Sequence, residues 1–239
     1  MFRWKYRNHR LIKTQSSIRE LVFGLEDGIV STGGAVIGIA AGTGDDRIVI
    51  LSGTVIVIVE ALSMAAGTFL SAKSMRQLLE RRIRDEQAEI ESRPEQEIKE
   101  LQQIYRDRGF TDDEIKLLVK RVTTNKDVWL EEMTCKELGI GSGQLVKTRG
   151  APAVMWIAYT LGGFVPIAPF IFLPINQAML TAFCLSLIGL FAIGFWKAKV
   201  TQTSQLRGGL EMTIVAASAG VAGYLIGRLV GILTGIQIT

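Results

Sequence analysis

Two carboxylates stand where carboxylates are costly. Asp27 follows Leu25-Glu26 and precedes Gly28 within an apolar run, and Glu60 lies near the middle of a second apolar run, four residues before Met64. A charge at the centre of a membrane helix costs roughly 2.5–3.5 kcal/mol on insertion scales, so both acids are expected to face a polar path or one another. The i, i+4 spacing puts Glu60 and Met64 on one helix face. That face offers a hard and a soft ligand to one space. Glu26 lies near the inner boundary, where solvation accounts for it, and Met64 would also serve as a packing residue.

A second set of carboxylates lies in a charged stretch. Glu86 and Glu89 are three residues apart, as are Glu97 and Glu100, and Met133 and Glu137 form an i, i+4 pair. Each pair therefore shares a helix face. Carboxylate pairs from neighbouring helices can bind divalent cations, although by spacing alone glutamates among many arginines also fit a solvated face.

The elements that must carry these residues follow from how charge is distributed. Of 27 basic and 23 acidic residues, 32 lie between Lys73 and Gly150 and 7 in the first 20, leaving 11 for the other 141 positions. This explains a mean hydropathy of +0.29 beside 21% charged residues. The long apolar blocks exclude a single water-soluble globule and a disordered chain. About 20 residues cross the hydrocarbon, and five runs are long enough: 21–42, 48–72, 151–173, 178–196 and 212–236. The first is too long for the apolar part of a signal peptide and leads into the second after five residues. The expected fold is all-α: a polytopic membrane protein of five transmembrane helices with a cytoplasmic helical insert between helices 2 and 3. Its parts are a basic segment (1–20), helices 1–2 (21–72), the insert (73–150) and helices 3–5 (151–239).

Basic residues in short loops set topology. Arg3, Lys5, Arg7, Arg10, Lys13 and Arg19 precede the first span, so the amino terminus is expected in the cytoplasm. Alternation then puts the insert, Lys197, Lys199 and Arg207 on the same side, and the carboxyl terminus outside or in a lumen. Arg228 departs from the pattern but is near enough to the outer end to snorkel. Span three carries Pro166, Pro169 and Pro174 after Gly162-Gly163, so its outer half is expected to break and kink. Five spans cannot divide into equal inverted halves, so a two-fold site would require a dimer.

Within the insert, span two is expected to continue as one helix to Glu91. Ser92-Arg93-Pro94-Glu95 has the form of a capping box opening a helix that Gly109 ends, and Thr111-Asp112-Asp113-Glu114 repeats the signature. Ile115, Leu118, Val119 and Val122 form the apolar stripe of that helix. A further helix runs from about Asp127 to Leu138, before a loop holding Gly139, Gly141 and Gly143. With 16 basic and 16 acidic residues the insert is neutral, a poor footprint for nucleic acid. Cys135 and Cys184 lie in very different surroundings and are not expected to pair. The single histidine, His9, excludes sites that need two histidines from one chain, so any metal would be held by oxygen and sulfur.

The segments Phe23-Gly24-Leu25-Glu26-Asp27-Gly28-Ile29-Val30-Ser31-Thr32 and Ala61-Leu62-Ser63-Met64-Ala65-Ala66-Gly67, followed by Leu70-Ser71-Ala72-Lys73-Ser74, resemble the vacuolar iron transporter family. The resemblance extends through Glu137-Leu138-Gly139 to the proline-rich Gly163-Phe164-Val165-Pro166-Ile167-Ala168-Pro169-Phe170, and covers about residues 20–236. It implies a homodimer in the lipid membrane that moves Fe²⁺, and often Mn²⁺, out of the cytosol in exchange for protons, along a path at the dimer interface. It places Asp27 and Met64 on that path, with Glu60 their neighbour by spacing. It also makes Glu86, Glu89, Glu97, Glu100, Met133 and Glu137 metal ligands of the insert, and so oxygen-rich a set suits Fe²⁺, Mn²⁺ and Zn²⁺ more than copper(I). Three departures stand out. Thr134 occupies the place of a second methionine, and Thr68 and Met75 stand where many members carry glutamate, which leaves fewer ligands near the inner mouth.

The expected activity is thus divalent-metal/proton antiport, without enzymatic chemistry or a prosthetic group. A prokaryotic inner membrane, or a vacuolar membrane in a eukaryote, would suit it. Two other classes use the same features: a membrane-bound di-iron oxidase, which would ordinarily add Glu-x-x-His motifs that a chain with no histidine beyond position 9 lacks, and a membrane-anchored adaptor whose insert binds a partner.

Overall fold

The described residues form eight helices. The computed structural model describes residues 9–137 and 150–234, with side chains from Ile18 onward. Arg3, Lys5, Arg7, Leu138, Gly139, Gly141, Gly143 and Ile236 lie outside the described residues, as do the side chains of His9, Arg10 and Lys13. In order the helices are α1 (His9–Thr43), α2 (Asp46–Ser92), α3 (Pro94–Asp107), α4 (Asp112–Thr123), α5 (Lys126–Lys136), α6 (Ala151–Phe172), α7 (Ile175–Val200) and α8 (Gln205–Thr234). No strand occurs among the described residues. Five helices contain stretches long and apolar enough to cross a membrane: Ile18–Thr43, Asp46–Ser92, Ala151–Phe172, Ile175–Val200 and Gln205–Thr234. The chain divides into two compact units, one containing Leu70–Thr148 and the other Thr14–Phe69 with Arg149–Thr239. Cys135 and Cys184 fall in different units and both are free and exposed.

The membrane-type unit is organised around α1. Val36 and Ala40 of α1 pack with Val49 and Val57 of α2, Ile167 and Phe170 of α6, and Ala178 and Ala182 of α7. Lower on α1, Val22 and Ile29 meet Leu190 of α7 and Met212 and Ala216 of α8. Such access to one helix from several sides needs small residues, because without a hydrophobic difference between lipid and protein the helices associate by close packing. Gly28 supplies this toward α6, where a Cβ would come 2.9 Å from the backbone nitrogen of Gly163. Large apolar residues such as Leu51, Val55, Leu62, Leu180, Ile188 and Leu225 stay exposed, as a lipid-facing surface requires.

The break expected in span three and the capping box expected at Ser92 are corrected. The α6 helix continues through Pro166 and Pro169 to Phe172. Each proline lacks the N–H that would bond the carbonyl four residues back, yet both are buried among neighbouring helices, and this packing holds the helical path without a break. Chain reversal instead occurs at Leu173 and Pro174, both extended in ψ. Ser92 does not open a capping box. It is the last residue of α2, its hydroxyl donates back to the Ala88 carbonyl at 2.7 Å, and Arg93 occupies the N-cap of α3 without a side-chain cap.

In the insert unit, the end of α2 and helices α3–α5 enclose Ile90, Leu101, Tyr105, Ile115, Val119, Trp129 and Met133. Leu101 and Met133 are 0% exposed. Gly109 takes φ +87° and ends the α3 segment as expected. At the start of α4 the Thr111 N–H and hydroxyl donate to the Glu114 carboxylate at 2.8 and 2.7 Å. Asn125, two residues before the expected start of the helix at Asp127, caps α5 by accepting from the N–H of Asp127 and Val128.

Candidate metal centre

The insert helices bring three distant glutamates together. Glu86 comes from α2, Glu97 from α3, and Glu137 is the C-cap of α5. One carboxylate oxygen from each lies within 4.8 Å of the others. Glu86 and Glu97 are each only 3% exposed, and Oε1 of Glu86 and Oε2 of Glu97 have no hydrogen-bond partner among the described residues. Buried, unpaired carboxylate oxygens are among the most costly groups a fold can hold. A divalent cation placed among them would satisfy both their charge and their lone pairs, so the donor set fits a hard or borderline metal.

Electrostatics carries the same mark. Burial raises the Glu86 carboxyl to about 7, helped by Glu137, Glu97, Glu89 and Glu100. Burial likewise lifts Glu97 to about 7, with Glu100, Glu137 and Glu89 adding and Arg93 opposing. Glu137 is raised by desolvation first and then by Glu100 and Glu89. Glu89 and Glu100 thus act on the cluster through their fields without being among the three gathered oxygens. Met133 lies one turn before Glu137 on α5 but is packed in the apolar core. Beside it, Thr134 is 7% exposed with a hydroxyl that has no partner among the described residues.

In the membrane-type unit, Asp27, Glu60 and Met64 are each half-buried. Ser31, one turn after Asp27 on α1, donates to Glu60 Oε2 at 3.1 Å. The Tyr159 hydroxyl of α6 donates to the same oxygen, and the Ser31 and Tyr159 hydroxyls are 2.5 Å apart. Glu60 is therefore held among polar groups, as an intramembrane acid requires, and Asp27, four residues before Ser31, shares the α1 face that meets it. The Met64 carbonyl accepts the Thr68 hydroxyl at 2.9 Å, a local bond that uses the threonine standing in a glutamate position. Sequence reading missed both Ser31 and Tyr159. Tyr159 had a signal available: tyrosine in a membrane helix favours the interfacial belts, and this one is mid-span. Arg228, the basic residue outside the loop pattern, directs Nη1 to the Tyr224 hydroxyl at 3.3 Å.

The five-span helical architecture defines a multi-pass membrane protein, and it carries a gathered carboxylate cluster. The sequence profile of the VIT family matches residues 18–228, and the chain belongs to that family. It is 28% identical over 214 residues to "Vacuolar iron transporter 1" of Arabidopsis thaliana, covering 89% of this chain and 86% of that protein. It is 27% identical over 208 residues to "Vacuolar iron transporter 2" of Oryza sativa subsp. japonica, covering 87% and 85%. Similarity to the "Vacuolar iron transporter" of Toxoplasma gondii (strain ATCC 50861 / VEG) is 28% over 234 residues, covering 93% and 77%.

Proposed function

We propose that this protein carries divalent iron, and Mn²⁺ as a second substrate, across a membrane and out of the cytosol in exchange for protons. The observation that carries the reading is the cluster of Glu86, Glu97 and the exposed Glu137, in which the buried oxygens of Glu86 and Glu97, unpartnered among the described residues, suit a divalent cation, in a family whose members cited above are named for iron transport. In this reading the insert faces the cytosol and binds metal through those three residues, with Glu89 and Glu100 deepening the negative field and Met133 offering sulfur. Asp27, Glu60 and Met64 line the membrane path. Two copies related by a two-fold axis double this ligand set. Carboxylates in a low-dielectric path exchange a metal ion for a proton, because the neutral acid avoids the cost of an unpaired charge.

Purified full-length protein in liposomes tests this. With the interior more acidic than the bath, Fe²⁺ kept reduced should accumulate inside, and collapse of the gradient should stop it. Uptake no greater than in protein-free vesicles would sink the transport reading and leave a membrane-bound metal-binding protein. A crosslink between cysteines introduced beside Asp27 in two copies would support the dimer, whereas a monomeric mass in mild detergent and in nanodiscs would refute it.

A further inference from the structure

Glu60 does not offer both of its oxygens. Oε2 receives the hydroxyls of Ser31 and Tyr159, while no hydrogen bond from the described residues reaches Oε1. The two hydroxyls also touch each other. Two hydrogens thus serve three contacts, and every assignment of them within this triangle leaves Oε2 accepting at least one. Tyr159 cannot easily swing away, since it is 0% exposed. Its backbone is held as closely, because a Cβ on Gly24 would come 3.1 Å from the Tyr159 nitrogen. The phenol is therefore a fixed post against one side of the carboxylate.

We infer that Ser31 and Tyr159 are specificity-determining positioning residues that restrict Glu60 to one-oxygen coordination and so select against Ca²⁺ at the membrane site. The inference rests on the reading of Glu60 as a metal ligand. Ca²⁺ takes six to eight oxygens and readily uses both oxygens of a carboxylate. The smaller first-row divalent ions work with fewer ligands and tolerate single-oxygen carboxylates and sulfur. A carboxylate with one oxygen held by hydroxyl donors costs Fe²⁺ or Mn²⁺ little, and removes from Ca²⁺ one oxygen ligand in each copy. Groups that hold a ligating carboxylate commonly change metal affinity by about 10–100-fold when removed.

The test uses the full-length protein in nanodiscs carrying Glu86→Gln, Glu97→Gln and Glu137→Gln, so that binding reports the membrane site. Bound Mn²⁺ is counted by electron paramagnetic resonance and Ca²⁺ by equilibrium dialysis of a radioactive tracer. Tyr159→Phe should raise Ca²⁺ affinity relative to Mn²⁺ by about tenfold, and Ser31→Ala should shift the ratio the same way by less. If Tyr159→Phe fails to fold, the Ser31→Ala shift decides alone. An unchanged ratio would overturn the proposal, and so would Mn²⁺ binding that is indifferent to Glu60→Ala. Failure of the wild-type protein to accumulate metal in liposomes would remove the transport reading, and the binding ratio would still decide this one.

Discussion

A Cβ added to Gly38 of α1 would stand 2.7 Å from the carbonyl oxygen of Gly223 of α8. The contact repeats a turn further on, where Gly42 meets the Gly227 carbonyl at the same 2.7 Å, and Gly34 lies against Ala219. Two backbones in contact at four-residue intervals form a small-residue seam of the kind that joins helices in lipid. Gly38→Leu should force them apart and cost about 1–3 kcal/mol, the range for overpacking. Gly189→Ala, whose Cβ would meet only Ile29 Cδ1 at an ordinary 3.4 Å, should cost less than about 0.5 kcal/mol. Unfolding of the full-length protein in mixed micelles measures both, and equal effects would count against the seam.

The insert should lose stability as pH rises when metal is absent. Glu86 and Glu97 titrate near 7 in the folded protein, raised first by burial and then by neighbouring glutamates, whereas in the unfolded chain they titrate near the ordinary glutamate value. Between about 4.5 and 7 the folded state therefore holds protons that the unfolded state releases, and stability falls as pH rises through that window. Amide hydrogen exchange of α3–α5, corrected for intrinsic rates and run with a chelator, should report stronger protection at pH 5 than at pH 7.5. Stronger protection at pH 7.5 would contradict the electrostatic picture.

Glu86→Gln keeps the volume of a buried side chain and removes its charge. It should strengthen protection of the metal-free insert at pH 7.5, by relieving repulsion from Glu137 and Glu97, while weakening divalent-metal binding by at least about tenfold, or 1.4 kcal/mol. Opposite signs in the two measurements separate a binding site from a merely structural acid. Calorimetry with Mn²⁺ on the full-length protein gives the binding half, and an unchanged affinity would exclude Glu86 as a ligand.

Met133 poses the converse case. It is 0% exposed and packed with Leu101, Tyr105 and Trp129, so Met133→Ala should cost about 2–5 kcal/mol through the cavity it leaves. Met133→Leu conserves volume and should cost under about 1.5 kcal/mol. If the thioether also ligates, the leucine variant should fold normally yet bind Fe²⁺ more weakly. Wild-type affinity in that variant would leave Met133 with packing alone.

Asp27→Asn retains size and polarity and abolishes titration. In liposomes it should eliminate gradient-driven Fe²⁺ transport while the insert still binds metal. Wild-type rate and pH dependence in this variant would show that Asp27 is not the coupling residue.

The five apolar runs and the charged stretch between them were legible along the chain because solvent preference acts residue by residue: a run of 20 apolar positions is costly in water wherever it falls. The Thr111–Glu114 box and the Gly109 stop were legible for a similar reason, since capping and positive φ are decided within a few residues. The i, i+3 spacing marked Glu86/Glu89 and Glu97/Glu100 as pairs, but tertiary packing chose differently among them. It took Glu86, Glu97 and Glu137 from three separate elements into one cluster and left Glu89 and Glu100 to act through their fields. Pro166 and Pro169 read as a break because the missing N–H is a local fact, yet their burial among neighbouring helices kept α6 continuous. Most of all, the bond from Tyr159 to Glu60 joins residues 99 positions apart. No periodicity within one helix encodes it; it exists because Gly24 and Gly28 let α1 approach α6 closely, and only the packed structure sets that distance.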